Sequence, residues 1–80
     1  MNNKILNMTV DVGIDATKSK LVMNIKSLKS KLERELELID NVANYVPNNL
    51  GIIQSQALEI DLLCSRLGAL SEMKELIKED

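Results

Sequence analysis

The sequence has no histidine, phenylalanine or tryptophan, and its 80 residues include only one tyrosine (Tyr45), one cysteine (Cys64) and one proline (Pro47). Without histidine there is no imidazole metal ligand, no histidine general base and no Ser-His-Asp arrangement. A single cysteine closes no internal disulfide, and a lone thiol fits a reducing compartment. Glycine is scarce and dispersed: Gly13, Gly51 and Gly68 are too far apart to build a phosphate-cradling loop. No apolar run approaches the ~18–20 residues of a membrane span. The first twelve residues alternate polar and apolar instead of forming an apolar leader. Neither sign of charge dominates, with ten Lys+Arg against twelve Asp+Glu and a net charge of −2, so general nucleic-acid binding is disfavoured. These absences describe a cytoplasmic protein for which no cofactor, no metal and no catalytic residue is expected. Eight asparagines among abundant Ile and Lys fit an AT-rich bacterial, phage or mobile-element gene.

What is present is aliphatic. Hydrophobic residues make up 45% of the chain, and with one aromatic the burial falls to Leu, Ile, Val, Met and Ala, which suits helix-on-helix packing. A chain of this length buries only about 60–65% of its unfolded surface when it folds alone.

Three segments follow one another. Leu6, Met8, Val10, Val12 and Ile14 occupy alternate positions, a period of two that predicts a strand over 5–14. Its partner is either Leu21–Ile25 of the same chain, as a hairpin, or a second copy. From 16 to 46 the pattern turns heptad-like. Ile25, Leu32, Ile39 and Val46 lie seven apart, with Leu21, Leu28, Glu35 and Val42 between them. That run claims residues 21–25 for a helix and favours strand pairing between copies. Asp15 or Thr17 is placed to cap this helix, and Val22, Leu36 and Ala43 widen its stripe. Pro47 stops it. Asn48 or Asn49 then caps a second helix over 49–78, whose seam is Ile53, Ile60, Leu63, Leu67, Leu70 and Ile77, broken by Gln56 and Lys74. The short connection predicts an antiparallel helical hairpin.

The second helix carries more apolar surface than one partner helix covers. Ile52, Leu58, Leu62, Ala69, Met73 and Leu76 lie outside its seam, and residues 41–58 include no charge. A helix apolar on two faces is buried on two faces, and an unpaired strand invites association. The fold expected is therefore a mainly α, coiled-coil-like two-helix hairpin with a short N-terminal β-strand, assembling into an oligomeric helical bundle. Leu6, Met8, Val10, Val12, Leu58, Leu62, Ala69 and Leu76 form its expected interface.

Few residues suggest chemistry. Lys18, Lys20, Lys26, Lys29, Lys31 and Arg34 cluster with only Glu33 among them. Beside a helix start near residue 16, Lys18, Lys20 and Lys29 suit a phosphorylated small molecule or nucleotide held between protomers; as a solvated helix face they do nothing. Glu35 sits on a seam position and suits a register role better than catalysis. Cys64, one turn from Ile60 and Leu67, reads as a small core filler. Asn41, Asn44, Asn48, Asn49, Gln54 and Gln56 surround the turn as caps, or with Tyr45 as a polar recognition patch.

Ser55-Gln56-Ala57-Leu58-Glu59, followed by Leu62 and Leu63, resembles the second-helix signature of the helical-hairpin aspartyl-phosphate phosphatases of sporulating bacteria. The resemblance covers about nine residues and implies a response-regulator substrate. This chain departs from the family pattern in having Glu59 where the carboxylate is Asp, and Asp61 at a position the family keeps apolar. The composition and patterning as a whole favour a small non-enzymatic interaction module: an oligomeric adaptor, inhibitor or assembly component with a protein partner.

Overall fold

The computed structural model describes residues 3–47 and 49–78. It consists of two helices, α1 (Asn3–Asn41) and α2 (Leu50–Lys78), with no strand among the described residues. The helices are about 58 and 43 Å long at 1.5 Å per residue, and they pack side by side in a rod of 65 × 14 × 14 Å. Glu35 meets Asn49, Lys31 meets Gln56, and Asp11 meets Lys74, so numbers rise on one helix as they fall on the other. The hairpin is antiparallel, as its short connection predicts.

The expected strand over 5–14 is instead the first three turns of α1. The alternating residues also satisfy helical spacing: Leu6, Val10 and Ile14 lie four apart, and Val10, Ile14, Thr17 and Leu21 continue one face. A strand would leave its backbone groups waiting for a partner, whereas a helix pairs them within the segment. It also turns Val10 inward to 4% exposure. Val10 is therefore part of the intrachain core and not of an interface between strands.

With the helix start moved to Asn3, Asp15 and Thr17 cap nothing. Thr17 is buried, and its hydroxyl donates to the Gly13 carbonyl at 2.7 Å, one of several polar side chains in α1 that bond back one turn. Thr9 donates to the Ile5 carbonyl, Asn24 to Lys20 and Asn41 to Glu37. Such bonds satisfy polar groups within the helix, and at Thr17 and Asn24 they let them lie in the packed seam.

α1 ends at Asn41 and not at Val46. Asn44 adopts a left-handed conformation, φ 68°, which asparagine tolerates better than most residues, so the chain leaves the helix before Pro47 is reached. The Asn49 carbonyl accepts the Ile53 N–H at 3.0 Å and opens α2, but its side chain turns away to Glu35. The alternative cap, Asn48, lies outside the described residues.

The α2 seam is the one expected: Ile53, Gln56, Ile60, Leu63, Leu67, Leu70, Lys74 and Ile77 are the buried or half-buried positions. α1 is rotated from expectation. Leu21, Leu28 and Glu35 face α2, but they alternate with Thr17, Asn24, Lys31 and Leu38. Ile25 and Ile39 are each 50% exposed, Leu32 is exposed, and Val46 and Val42 lie exposed in the connection. The reason is polar matching. Gln56 and Lys74 interrupt the α2 seam, and Asn24, Lys31 and Asp11 are the α1 groups that satisfy them. Turning Ile25 and Leu32 inward would set the half-buried Gln56 against hydrocarbon and break its bonds to Lys31 and Asn24.

Gly13 tests the helical assignment. A methyl group built there meets only the Leu70 Cδ atoms at 3.5 Å, and one at Gly68 meets nothing within 4 Å. Gly13→Ala and Gly68→Ala are each expected to stabilise the protein by about 0.5–1 kcal/mol in urea unfolding followed by circular dichroism. Destabilisation by Gly13→Ala would contradict a continuous α1.

Candidate functional site

Two features stand out from the rod: a line of polar contacts between the helices, and apolar stripes left outside them.

The polar line begins where the chain reverses. Glu35 is only 7% exposed. Its carboxylate accepts from the Tyr45 hydroxyl and, at 2.8 Å, from the Asn49 side-chain amide. Helix α1 delivers the carboxylate, while the left-handed turn at Asn44 brings Tyr45 and Asn49 back over it. The Tyr45 hydroxyl is the main cause holding the Glu35 carboxyl below its ordinary range, followed by the Asn49 amide; Arg34 adds to this against the opposing effect of desolvation. The same hydrogen bond raises the Tyr45 phenol, with desolvation and the carboxylate charge acting in the same direction. One turn on, Lys31 donates to Gln56 at 2.7 Å, and Gln56 donates to Asn24 at 3.2 Å. Lys74 pairs with Asp11 toward the open end. No buried side-chain nitrogen or oxygen among the described residues lacks a partner. This line clasps the two helices at the turn, an arrangement compatible with the register role expected of Glu35, and Tyr45 and Asn49 are engaged in it.

The expected anion-binding lysines do not converge. Lys18, Lys20 and Lys29 are all exposed on the body of α1, far from the helix start that was to assist them. At 100° per residue, Lys18 and Lys20 point to opposite sides, and Lys29 lies about 16 Å along the axis from Lys18. Lys29 reaches Glu33 at 3.9 Å on its own helix. Cys64 is exposed and not a core filler, because the seam takes Leu63 between Ile60 and Leu67. Of the phosphatase-like motif, Gln56 turns into the seam, while Ser55, Leu58 and Glu59 are exposed. Among the described residues no three His, Cys, Asp or Glu side chains are grouped to hold a metal, and no helix is long and apolar enough to cross a membrane.

The apolar stripes are the larger feature. Among the described residues the buried hydrophobic side chains are Val10, Leu21 and Leu63, whereas eighteen large ones are exposed. On α1, Val22, Ile25, Leu32, Leu36 and Ile39 form a second heptad stripe about a quarter turn from the contact with α2. Composition alone did not separate this stripe from the seam, because both follow the same spacing. On α2, Leu58, Leu62, Ala69 and Leu76 face away from α1, and Leu62 and Leu76 are 65% and 68% exposed. Of the remaining interface candidates, Met8 and Val12 line a shallow groove with Ile5 and Thr9, while Leu6 projects from another side.

Compared with known proteins, the chain matches no family model, no curated protein and no solved structure.

The clasp makes a pH prediction. A carboxyl lowered on folding contributes stability that is complete above the ordinary glutamate pKa of about 4.3 and is lost as pH falls through the folded value. Tyr45→Phe is expected to lower Tm at pH 7 and to move the Glu35 titration, followed by carboxyl NMR, upward. The Tm difference from the parent should shrink as Glu35 protonates. An equal difference at pH 2 and pH 7 would refute the clasp.

Proposed function

We propose that this protein is a non-enzymatic interaction module: a helical hairpin that self-associates and offers its remaining apolar face to a helical segment of a partner protein, as adaptor, inhibitor or assembly component. The observation that carries this reading is the excess of exposed surface, which includes eighteen large hydrophobic side chains among the described residues. The accessible area is 6321 Å², whereas a compact monomer of this mass exposes about 4,800 Å². The radius of gyration, 18.5 Å, compares with about 12 Å for a compact chain of the same length. The exposed aliphatic residues are also ordered in heptads, and an ordered apolar stripe rimmed by charge is the form that helices present to other helices.

The anion-binding and phosphatase readings gain no comparable support. The first needs lysines that meet, and the motif behind the second is divided, with Gln56 in the seam and Glu59 exposed.

Self-association ties stability to concentration. Raising the protein concentration a hundredfold, from 5 to 500 µM, is expected to raise Tm by about 5–10 °C for a small dimer, and sedimentation should show a species larger than 8.9 kDa. A constant Tm together with a monomer at 500 µM would remove the reading.

A further inference from the structure

We infer that the stripe Val22, Ile25, Leu32, Leu36 and Ile39 of α1 is the seat of a second copy of this chain, packed antiparallel across a two-fold axis near residues 30 and 31. The inference rests on the self-association proposed above and specifies its geometry. Three observations carry it.

The first is period. The stripe runs 22, 25, 29, 32, 36, 39, alternating steps of three and four, as required for knobs-into-holes packing along one helix. Its only polar member is Lys29, which is exposed and turned to Glu33 on its own helix.

The second is charge. In an antiparallel pair whose facing residues sum to 61, Val22 lies against the partner's Ile39 and Ile25 against the partner's Leu36. Lys29 lies against the partner's Leu32, where its stem packs and its ammonium reaches water. On the flank away from α2, Lys26 falls two residues, about 3 Å along the axis, from the level of the partner's Glu33, within reach of its long side chain, and the two-fold axis repeats the pair. Lys26 and Glu33 are both exposed, and Glu33, held by Lys29 only at 3.9 Å on the surface, retains acceptor capacity for a second cation. A parallel pair would stack Lys29 on Lys29 and leave both flanking charges without opposites. The stripe is complementary to itself in one direction.

The third is area. The chain exposes about 1,500 Å² more than a compact monomer, set against the about 800 Å² per partner of a standard stable interface. Covering the α1 stripe takes part of this excess. It leaves the Leu58–Leu62–Ala69–Leu76 face, on the far side of α2, open to another protein. A closed two-fold contact also ends at two copies, whereas a contact from the α1 stripe to the α2 stripe would propagate.

The test uses the full chain with Cys64→Ser. Leu32→Glu is expected to yield a monomer at concentrations where the parent is a dimer by sedimentation, while Leu62→Glu leaves the dimer intact. Lys26→Glu and Glu33→Lys should each weaken the dimer about three- to tenfold, and the double variant should restore it, since each change acts at both copies of an exposed pair. Spin labels at Ser30→Cys should lie close together, and labels at Ser19→Cys about 35 Å apart along the axis. A dimer that Leu32→Glu leaves intact, that Leu62→Glu dissolves, that ignores the charge swap, or that brings both labels equally close overturns this geometry but preserves self-association. A propagating series of larger species does the same. A monomer at 500 µM overturns both.

Discussion

The rotation of α1 about its own axis governs the rest of this molecule, and polar contacts set it. α2 presents Gln56 and Lys74 within an otherwise aliphatic seam, and these two groups accept only an opposing surface that hydrogen-bonds them. Asn24, Lys31 and Asp11 supply it, and Glu35, clasped by Tyr45 and Asn49, fixes the level of the turn. A few half-buried polar groups and the buried Glu35 thus choose one face of α1 over a more hydrophobic one beside it. Apolar contact alone would favour the opposite choice, because burial of aliphatic side chains is non-directional and roughly proportional to area. Polar groups stabilise little in net terms when paired but are expensive when stranded, so they decide between arrangements that apolar area does not distinguish.

That choice has a structural cost and a functional consequence. The seam gains specificity, and Val10, Leu21 and Leu63 are left as the buried hydrophobic residues among those described. Two helices in one layer have little interior in any case: a rod 14 Å across has no position far from solvent. The aliphatic residues displaced from the seam remain outside in regular order, which is the basis for reading the hairpin as half of a larger assembly.

How much of this was legible in the sequence differs between the two helices. The α2 seam was readable residue by residue, including its interruptions at Gln56 and Lys74, since its apolar run from Ile53 to Ile77 is the more complete of the heptad-spaced stripes on that helix. α1 carries two stripes with the same period, one mixed and one aliphatic. Hydrophobic patterning takes Leu21 and Leu28 from one and Ile25, Leu32 and Ile39 from the other, and the polar residues of α2 resolve the mixture in favour of the first. The N-terminal segment failed for a related reason. The alternation Leu6, Met8, Val10, Val12, Ile14 also contains the i, i+4 series Leu6, Val10, Ile14, and what decides between strand and helix is the presence of Leu70 and Lys74 opposite Gly13 and Asp11. The clasp was half readable. Glu35 was placed in the seam, but nothing local indicated that a left-handed Asn44 would return Tyr45 to it. Leu58, Leu62, Ala69 and Leu76 were placed outside the α2 seam and are exposed, whereas Val10, expected outside, is buried; the exposure of Ile25, Leu32 and Ile39 emerged only once the seam was known to exclude them.

The antiparallel path also imposes an order in time. Partners at the turn are near neighbours in the chain, with Glu35 and Asn49 14 residues apart, whereas Asp11 and Lys74 at the open end are separated by 63. Closing the short loop costs less entropy than closing the long one, so the hairpin zips from its turn toward its ends and frays in the reverse direction. Amide protection should accordingly fall from the clasp outward. The Val22–Ile39 stripe lies in the half that forms first. The stripe is therefore in place before the open end closes, so under the self-association proposed above recognition between copies would be a step within folding.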